Sequence, residues 1–398
     1  MQMKILYLNG FVPRENAPMG GIFVTKRIQA LKKKGIEVCP YIYGIEYSEP
    51  VEKYLSEIRH IMRQSRPVCR QLDIEYQLRM DRMGFIKMAA ARYFPSVYGS
   101  GISKMLREDC RKEKPVDLIH LHWVWPVGVG VRRFSKESGI PYVLTCHGSE
   151  INITLADPHI RKAMLSVLED AAAVEFVSEA LLVRARELGY SGKNAVVVYN
   201  GIDGSIFGNA DLESVKKRTV VGFAGNLIPV KGADRLSEIF HTIYKKASGD
   251  VEFCVIGDGE LRGSLEQQMK ELPVIFTGQV PQTRMAEEFL KMSVLIVPSR
   301  REGYSCVIKE AQACGVIPVA CNVGGIPEAV AGYGTLVSGT DEEIPGKLAD
   351  AALEYLEERI QTDRREMADR AKKNTWESMQ DLSVKRYQKI LATIQSRT

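Results

Sequence analysis

The chain has 398 residues, too many for one ordinary domain and enough for two at roughly 100 to 200 residues each. Its 45% hydrophobic and 26% charged side chains exclude a disordered, collagenous or coiled-coil protein. The net charge of +5 is uneven: residues 1–200 carry 29 Lys and Arg against 21 Asp and Glu, and residues 201–398 carry 25 against 28.

Lys4 to Leu8 alternates as a strand, and a loop with Pro13, Pro18, Gly20 and Gly21 follows. A helix then runs to Lys34 and stops at Gly35, and Glu37 to Tyr43 resumes a strand. Strand, helix, strand is the start of a parallel α/β sheet. The pattern returns at Asp117 to Trp123, Tyr142 to Cys146 and Ala195 to Tyr199. Between them, Val51 to Glu113 reads as two or three basic amphipathic helices broken near Pro67 and Pro95. The stretch 51–115 holds 14 basic and 8 acidic side chains, so an anionic partner would be sought there. The opening residues turn to Gly and Pro before a signal-peptide core could form, and no apolar run nears the ~18 to 20 residues that span a bilayer. A cytoplasmic protein is expected.

After a polar stretch, Gly208 to Arg218, strands are expected at Val220 to Ala224, Glu252 to Ile256, Val274 to Thr277, Val294 to Val297, Ile317 to Ala320 and Thr335 to Val337. With helix-length segments between most of them, they make a second doubly wound domain. Apolar residues near helical spacing from Trp376 to Ile394 predict a terminal helix that packs on something. The expected division is 1–205, 206–375 and a returning helix over 376–398. Two such sheets in tandem bind ligands at the carboxyl ends of their strands, in a cleft between the domains.

The strand ends of the second half carry the strongest signals. The segment Ser299 to Gly315 puts Glu302 in a loop and Glu310 in a helix that begins near Ser305. Between the two carboxylates, the unpaired N–H groups of Ser305 to Val307 and the positive helix end would hold a diphosphate. One carboxylate would bind sugar hydroxyls and the other ribose hydroxyls. Two solvated surface acids are the plainer reading of the spacing alone. Lys231 and Gly232, on the loop Ala224 to Gly232, offer a cation for phosphate or an ordinary turn lysine. Asn322 to Glu328 pairs two glycines with a proline at a helix start.

On these residues the chain resembles family 4 of the retaining glycosyltransferases, of the GT-B fold. The segments that carry the resemblance are Gly20-Gly21, Thr145 to Glu150, Asn200 to Asp203, Lys231-Gly232, Glu302 to Glu310, Ala313 to Gly315 and Gly324 to Glu328. Among bacterial members the layout is similar to transferases that build cell-surface polymers such as teichuronic acid. The resemblance implies two Rossmann-like domains facing a cleft, the first binding the acceptor and the second a nucleotide sugar. Lys231 would hold the donor diphosphate, Glu302 the transferred sugar and Glu310 the ribose. The donor-binding set would comprise Gly20, Gly21, Asn226, Lys231, Gly303, Tyr304, Ser305, Cys306 and Glu310, and His147 would contact the hexose. The catalytic set would be His147, Lys231 and Glu302. The family usually has an arginine where this chain has Asn226, and Arg300, Arg301 or Arg14 would have to compensate. It also more often carries aspartate where this chain has Glu150.

Other motifs compete. His120 and His122, on one face of a strand, suggest a metal pair, but no third ligand accompanies them and a strand end lining the cleft is favoured. Cys146 beside His147 suggests a thiol nucleophile, yet strand neighbours point to opposite faces. The eight cysteines show no C-x-x-C spacing and read as free thiols. The expected function is transfer of a hexose-type sugar with retention, without cofactor or metal, from a nucleotide sugar, a UDP-sugar favoured. The acceptor would be a glycan or lipid-linked saccharide, with contact at an anionic membrane face and no nucleic acid. The alternatives are a nucleotide-sugar 2-epimerase and a non-catalytic nucleotide-sugar-binding subunit. A nicotinamide dehydrogenase is disfavoured because Asn9 to Gly21 lacks the G-x-G-x-x-G fingerprint.

Overall fold

The fold was analysed in a computed structural model that describes residues 3–11, 14–15, 20–51, 53, 66–97, 99–212 and 219–396. Pro13 and Pro18, most of 52–65 and the end of the polar stretch, 213–218, lie outside the described residues. The chain divides into two compact units, one of Met1–Tyr199 with Met379–Thr398 and the other of Asn200–Ser378.

In the first unit the strands are β1 (Lys4–Asn9), β2 (Glu37–Tyr47), β3 (Arg70–Gln71), β4 (Ile74–Glu75), β5 (Gln77–Met83), β6 (Leu118–His122), β7 (Tyr142–Cys146), β8 (Ala173–Phe176) and β9 (Ala195–Val197). Seven form one sheet in the order β5-β2-β1-β6-β7-β8-β9, and every recorded pairing within it is parallel. The strands β6, β7 and β8 are buried along their whole length. Helices cover both faces of such a sheet, so the strands read as continuous apolar runs.

The helices expected over 51–115 are present only in part. Phe85–Tyr93 and Ser100–Lys112 are helical, but β3 and β4 form a small antiparallel hairpin and β5 is an edge strand of the sheet. The sequence of β5, Gln-Leu-Arg-Met-Asp-Arg-Met, hid its strand period because Arg79 and Asp81 are paired with other side chains at partly or fully buried positions. Arg79 donates to Asp109 at 2.9 Å and to Glu108 at 2.8 Å, and Asp81 accepts from Lys87 at 2.6 Å.

In the second unit the strands are β10 (Val220–Ala224), β11 (Glu252–Ile256), β12 (Val274–Gly278), β13 (Val294–Val297), β14 (Ile317–Cys321) and β15 (Thr335–Val337), all within a residue of expectation. They form one parallel sheet in the order β12-β11-β10-β13-β14-β15. The order reverses at β10 and β13, and the loops leaving these two strands carry Lys231 and Glu302. The last helix, Trp376–Gln395, begins in the second unit, and its residues from Met379 count with the first, where Tyr387 is fully buried. Among the described residues, no helix is long and apolar enough to cross a membrane.

Candidate active site

Lys231 closes a short 3-10 turn, Pro229–Lys231, and Gly232 follows it in the left-handed region at φ +68°. A Cβ at Gly232 would stand 2.0 Å from the Pro298 carbonyl oxygen, so only glycine lets this loop lie on the end of β13. The Arg300 amide then donates to the Val230 carbonyl at 3.0 Å. The result is a Lys231 Nζ to Glu302 Oε1 ion pair of 2.5 Å, with Ser299 Oγ donating to the same carboxylate oxygen at 3.3 Å.

Glu302 is held from its other side by the loop after β14. Gly324 has φ +52°, and a Cβ there would meet the Glu302 carbonyl oxygen at 2.0 Å, while the Gly325 amide donates to that oxygen at 3.3 Å. The loop after β10 rests in turn on the loop after β11: Leu227 N donates to Asp258 O at 2.9 Å, and a Cβ at Gly257 would be 2.0 Å from Gly225 O. Four strand-end loops therefore fix the relative position of one cation and one carboxylate. Gly257-Asp258-Gly259 escaped the sequence reading, although a Gly-x-Gly directly after a strand was a usable signal.

Gly303 and Tyr304 lead to Ser305, the N-cap of the helix Cys306–Ala313. Ser305 is buried, makes no capping hydrogen bond, and its Oγ has no partner among the described residues. The first amides of this helix and the Ser305 hydroxyl thus form a donor-rich end that lacks an internal acceptor. Burial, with Glu310 and Glu302 nearby, pushes the Cys306 thiol up to about 12, against a hydrogen bond from Asn200. Glu310 lies half-buried on the same helix. Asn226 is exposed on the β10 loop.

Of the arginines considered as substitutes for the family arginine, Arg300 is already engaged. Its guanidinium donates to Asp234 at 2.7 and 2.8 Å and to Asp341 at 2.7 and 3.0 Å. Hydrogen bonds from Arg300 and then Arg235 hold the Asp341 carboxyl down to about 2. Arg301 is exposed, and Arg14 sits in an isolated bridge to Pro67 in the first unit.

In the first unit, Gly21 is the left-handed N-cap of the helix Ile22–Lys33, and the Gly20 carbonyl accepts from Gln71 Nε2 at 2.7 Å. His147 follows β7 directly. Its Nε2 is 2.7 Å from His122 Nδ1, and its ring lies 4.3 Å from that of Phe23 and 4.8 Å from that of Trp123. Trp123 is held at φ +63°, a strained conformation for an aromatic residue at the end of β6. Glu150 turns back on the same loop: its Oε1 accepts from the His147 amide at 2.6 Å and its Oε2 from the Gly148 amide at 3.0 Å. The longer side chain at this position thus clamps backbone.

His120 and His122 do share a face, with rings stacked 4.8 Å apart. All four of their ring nitrogens are taken, by Tyr387, Thr145, Tyr7 and His147, which leaves no lone pair for a metal. Among the described residues, no group of three or more His, Cys, Asp or Glu is placed to hold a metal ion. Cys146 is fully buried, and burial followed by Glu150 raises its thiol well above the ordinary value, so it offers no thiolate. The sequence reading missed Arg27 and Glu175, a fully buried ion pair of 3.0 Å beneath these histidines.

Two family models and several known proteins match the chain. Residues 23–205 match the family described as Glycosyltransferase Family 4, and residues 218–358 match Glycosyl transferases group 1. A putative teichuronic acid biosynthesis glycosyltransferase, TuaC of Bacillus subtilis, is 28% identical over 340 residues, 81% of this chain and 82% of the relative. An N-acetyl-alpha-D-glucosaminyl L-malate synthase of Bacillus anthracis is 26% identical over 297 residues, 70% and 75% of the two chains. Among solved structures, a glycosyltransferase of Rickettsia africae superposes with a TM-score of 0.69 at 16% identity, covering 98% of this chain and 99% of the other. Anabaena HepE in complex with UDP and glucose gives 0.58 at 19% identity, covering 100% and 99%. The fold shared with these structures is GT-B.

Proposed function

Because the chain belongs to glycosyltransferase family 4, we propose that it moves a hexose-type sugar from a nucleotide diphosphate sugar to a glycan or lipid-linked saccharide, with retention of configuration, in the synthesis of a cell-surface polysaccharide or glycolipid. The observation that carries this reading is the Lys231–Glu302 pair in the same unit as the acceptor-free helix end at Ser305. An incoming diphosphate supplies the oxygens that Lys231, Ser305 Oγ and the first amides of Cys306–Ala313 are set to meet. Lys231 then leaves Glu302 for phosphate, which frees the carboxylate for sugar hydroxyls. Charge developing on the departing nucleotide is taken up by fixed donors. UDP is the favoured nucleotide, supported by the UDP complex of a protein of the same fold. Glu310 is assigned to the ribose and His147 to a hydroxyl of the transferred sugar.

Contact with an anionic membrane face belongs to the same proposal. Phe85, Ala89 and Tyr93 recur every four residues on the helix Phe85–Tyr93 with Ile86 beside them, and all four are exposed, Ile86 to 89% and Tyr93 to 75%. An apolar arc turned to solvent within a segment of 14 basic and 8 acidic residues suits the interface of an anionic bilayer. Ile86→Asp should abolish sedimentation with anionic vesicles; binding that survives it, or that ignores salt and lipid charge, removes this part.

The deciding experiment follows nucleotide release and donor-dependent stabilisation across a panel of nucleotide sugars, with EDTA present. One donor should be turned over, and Lys231→Ala or Glu302→Ala should lower its turnover by roughly 10²- to 10³-fold. An epimerised donor with no glycosylated acceptor would instead decide for an epimerase. Donor binding without release, across acceptors, would decide for a binding subunit.

A further inference from the structure

The buried rings of the first unit form two hydrogen-bonded chains whose direction can be worked out. Burial holds His120, His122 and His147 well below the ordinary imidazole value, so each ring is neutral and carries one proton. In the first chain, Thr145 Oγ1 donates to Glu175 Oε2 at 3.1 Å, a carboxylate that also accepts from Arg27 Nη1 at 3.0 Å. With its only proton used, Thr145 Oγ1 accepts from His120 Nε2, 2.7 Å away, and the Tyr387 hydroxyl donates to His120 Nδ1 at 2.6 Å.

The second chain starts at Tyr7, which is fully buried. Among the described residues its hydroxyl has one hydrogen-bond partner, His122 Nε2 at 2.7 Å. A buried phenol proton is satisfied only if it is given to that nitrogen. His122 must then carry its own proton on Nδ1 and donate it to His147 Nε2 at 2.7 Å, which places the remaining proton on His147 Nδ1. The reverse direction would strand two buried groups, the Tyr7 proton and a lone pair on His147. The forward direction leaves a single unpaired donor, and His147 Nδ1 is indeed without a partner among the described residues.

We infer that Tyr7 and His122 are positioning residues that lock His147 in its Nδ1–H tautomer, so that it meets its ligand as a neutral donor to an oxygen acceptor such as a sugar hydroxyl. The ligand's identity rests on the glycosyltransferase reading; the tautomer rests on the burial of the rings and their hydrogen bonds. His120, stacked on His122, is held in the opposite tautomer by Glu175, so the two neighbouring rings are set independently.

The test is long-range proton–nitrogen NMR of the full chain carrying ¹⁵N-histidine, with the His147 signals assigned by their loss in His147→Gln. The wild type should show a protonated Nδ1 and an unprotonated Nε2 at His147. Tyr7→Phe keeps the ring but removes the proton source, and should convert these signals to a mixture of tautomers and lower turnover of the preferred donor about tenfold without an equal change in KM. A wild-type His147 protonated on Nε2, or a tautomer unmoved in Tyr7→Phe, overturns the inference. If Tyr7→Phe does not fold, the wild-type spectrum decides by itself. An Nδ1–H signal in a protein that turns over no nucleotide sugar would sink the glycosyltransferase reading and leave the tautomer standing.

Discussion

Glu150 places a carboxylate, 3% exposed, against two backbone amides. The amides favour the charged form and burial opposes it; burial is the larger effect, and the carboxyl rises from 4.5 to about 6. A raised folded-state value means that the group's favourable contribution is complete below about 4.5 and is lost as pH climbs through about 6. Glu150→Gln stays neutral, at the constant loss of one amide acceptor. The difference in Tm between variant and wild type should therefore move in the variant's favour from pH 4.5 to pH 7; a difference flat across that range would show that the carboxylate is not desolvated. Single residues divide sharply in how readable they were. Lys231 and Glu302 stood out because their loops carry glycines at strand ends. Arg27 and Glu175 went unnoticed, since a pair 148 residues apart leaves no local trace. Arg300 misled for the same reason: its partners, Asp234 and Asp341, come from two other loops.

Among the elements, the six strands of the second unit were legible as short apolar runs bounded by turns; β10, β13 and β14 are buried along their whole length and need no alternation. β8 was not, because Ala-Val-Glu-Phe is four residues long and follows the helix Pro158–Asp170 after only two alanines. β5 was misread because Arg79 is neutralised by the helix Ser100–Lys112 and Asp81 by Lys87 of the helix Phe85–Tyr93. The strand-end loops make a prediction of their own. Gly232→Ala and Gly324→Ala each add a methyl to a left-handed residue 2.0 Å from a carbonyl oxygen, Pro298 in one case and Glu302 in the other. Each loop must shift, and with it one partner of the Lys231–Glu302 pair. Both variants should lose on the order of tenfold or more in donor affinity while far-ultraviolet circular dichroism stays unchanged. Normal affinity in both would mean that the pair's placement does not matter.

At the scale of the whole chain, the second unit is entered and left at one place. Ile202 N donates to Asn374 O at 2.9 Å and Trp376 N to Ile202 O at 3.0 Å, so the incoming and outgoing segments pair in parallel at Ile202 and Thr375. Gly201 allows it, since a Cβ there would lie 2.4 Å from the Trp376 amide nitrogen. The Asn-Gly-Ile-Asp motif is thus a clasp, with Asp203 capping the short helix Gly204–Phe207 at Ser205 N, 3.0 Å. A unit closed at its own ends around its own apolar core has what autonomous folding requires. The excised segment 200–378 should therefore melt cooperatively by circular dichroism. The first unit is different, because Tyr387 of the last helix is fully buried and hydrogen-bonded to His120. Residues 1–199 alone should melt lower than the same residues joined through a flexible linker to 379–398, and Tyr387→Phe in the joined form should recover only part of the gain. If segment 200–378 melted without cooperativity, or if the last helix added nothing to 1–199, the division at Tyr199 and Met379 would describe contacts and not folding units.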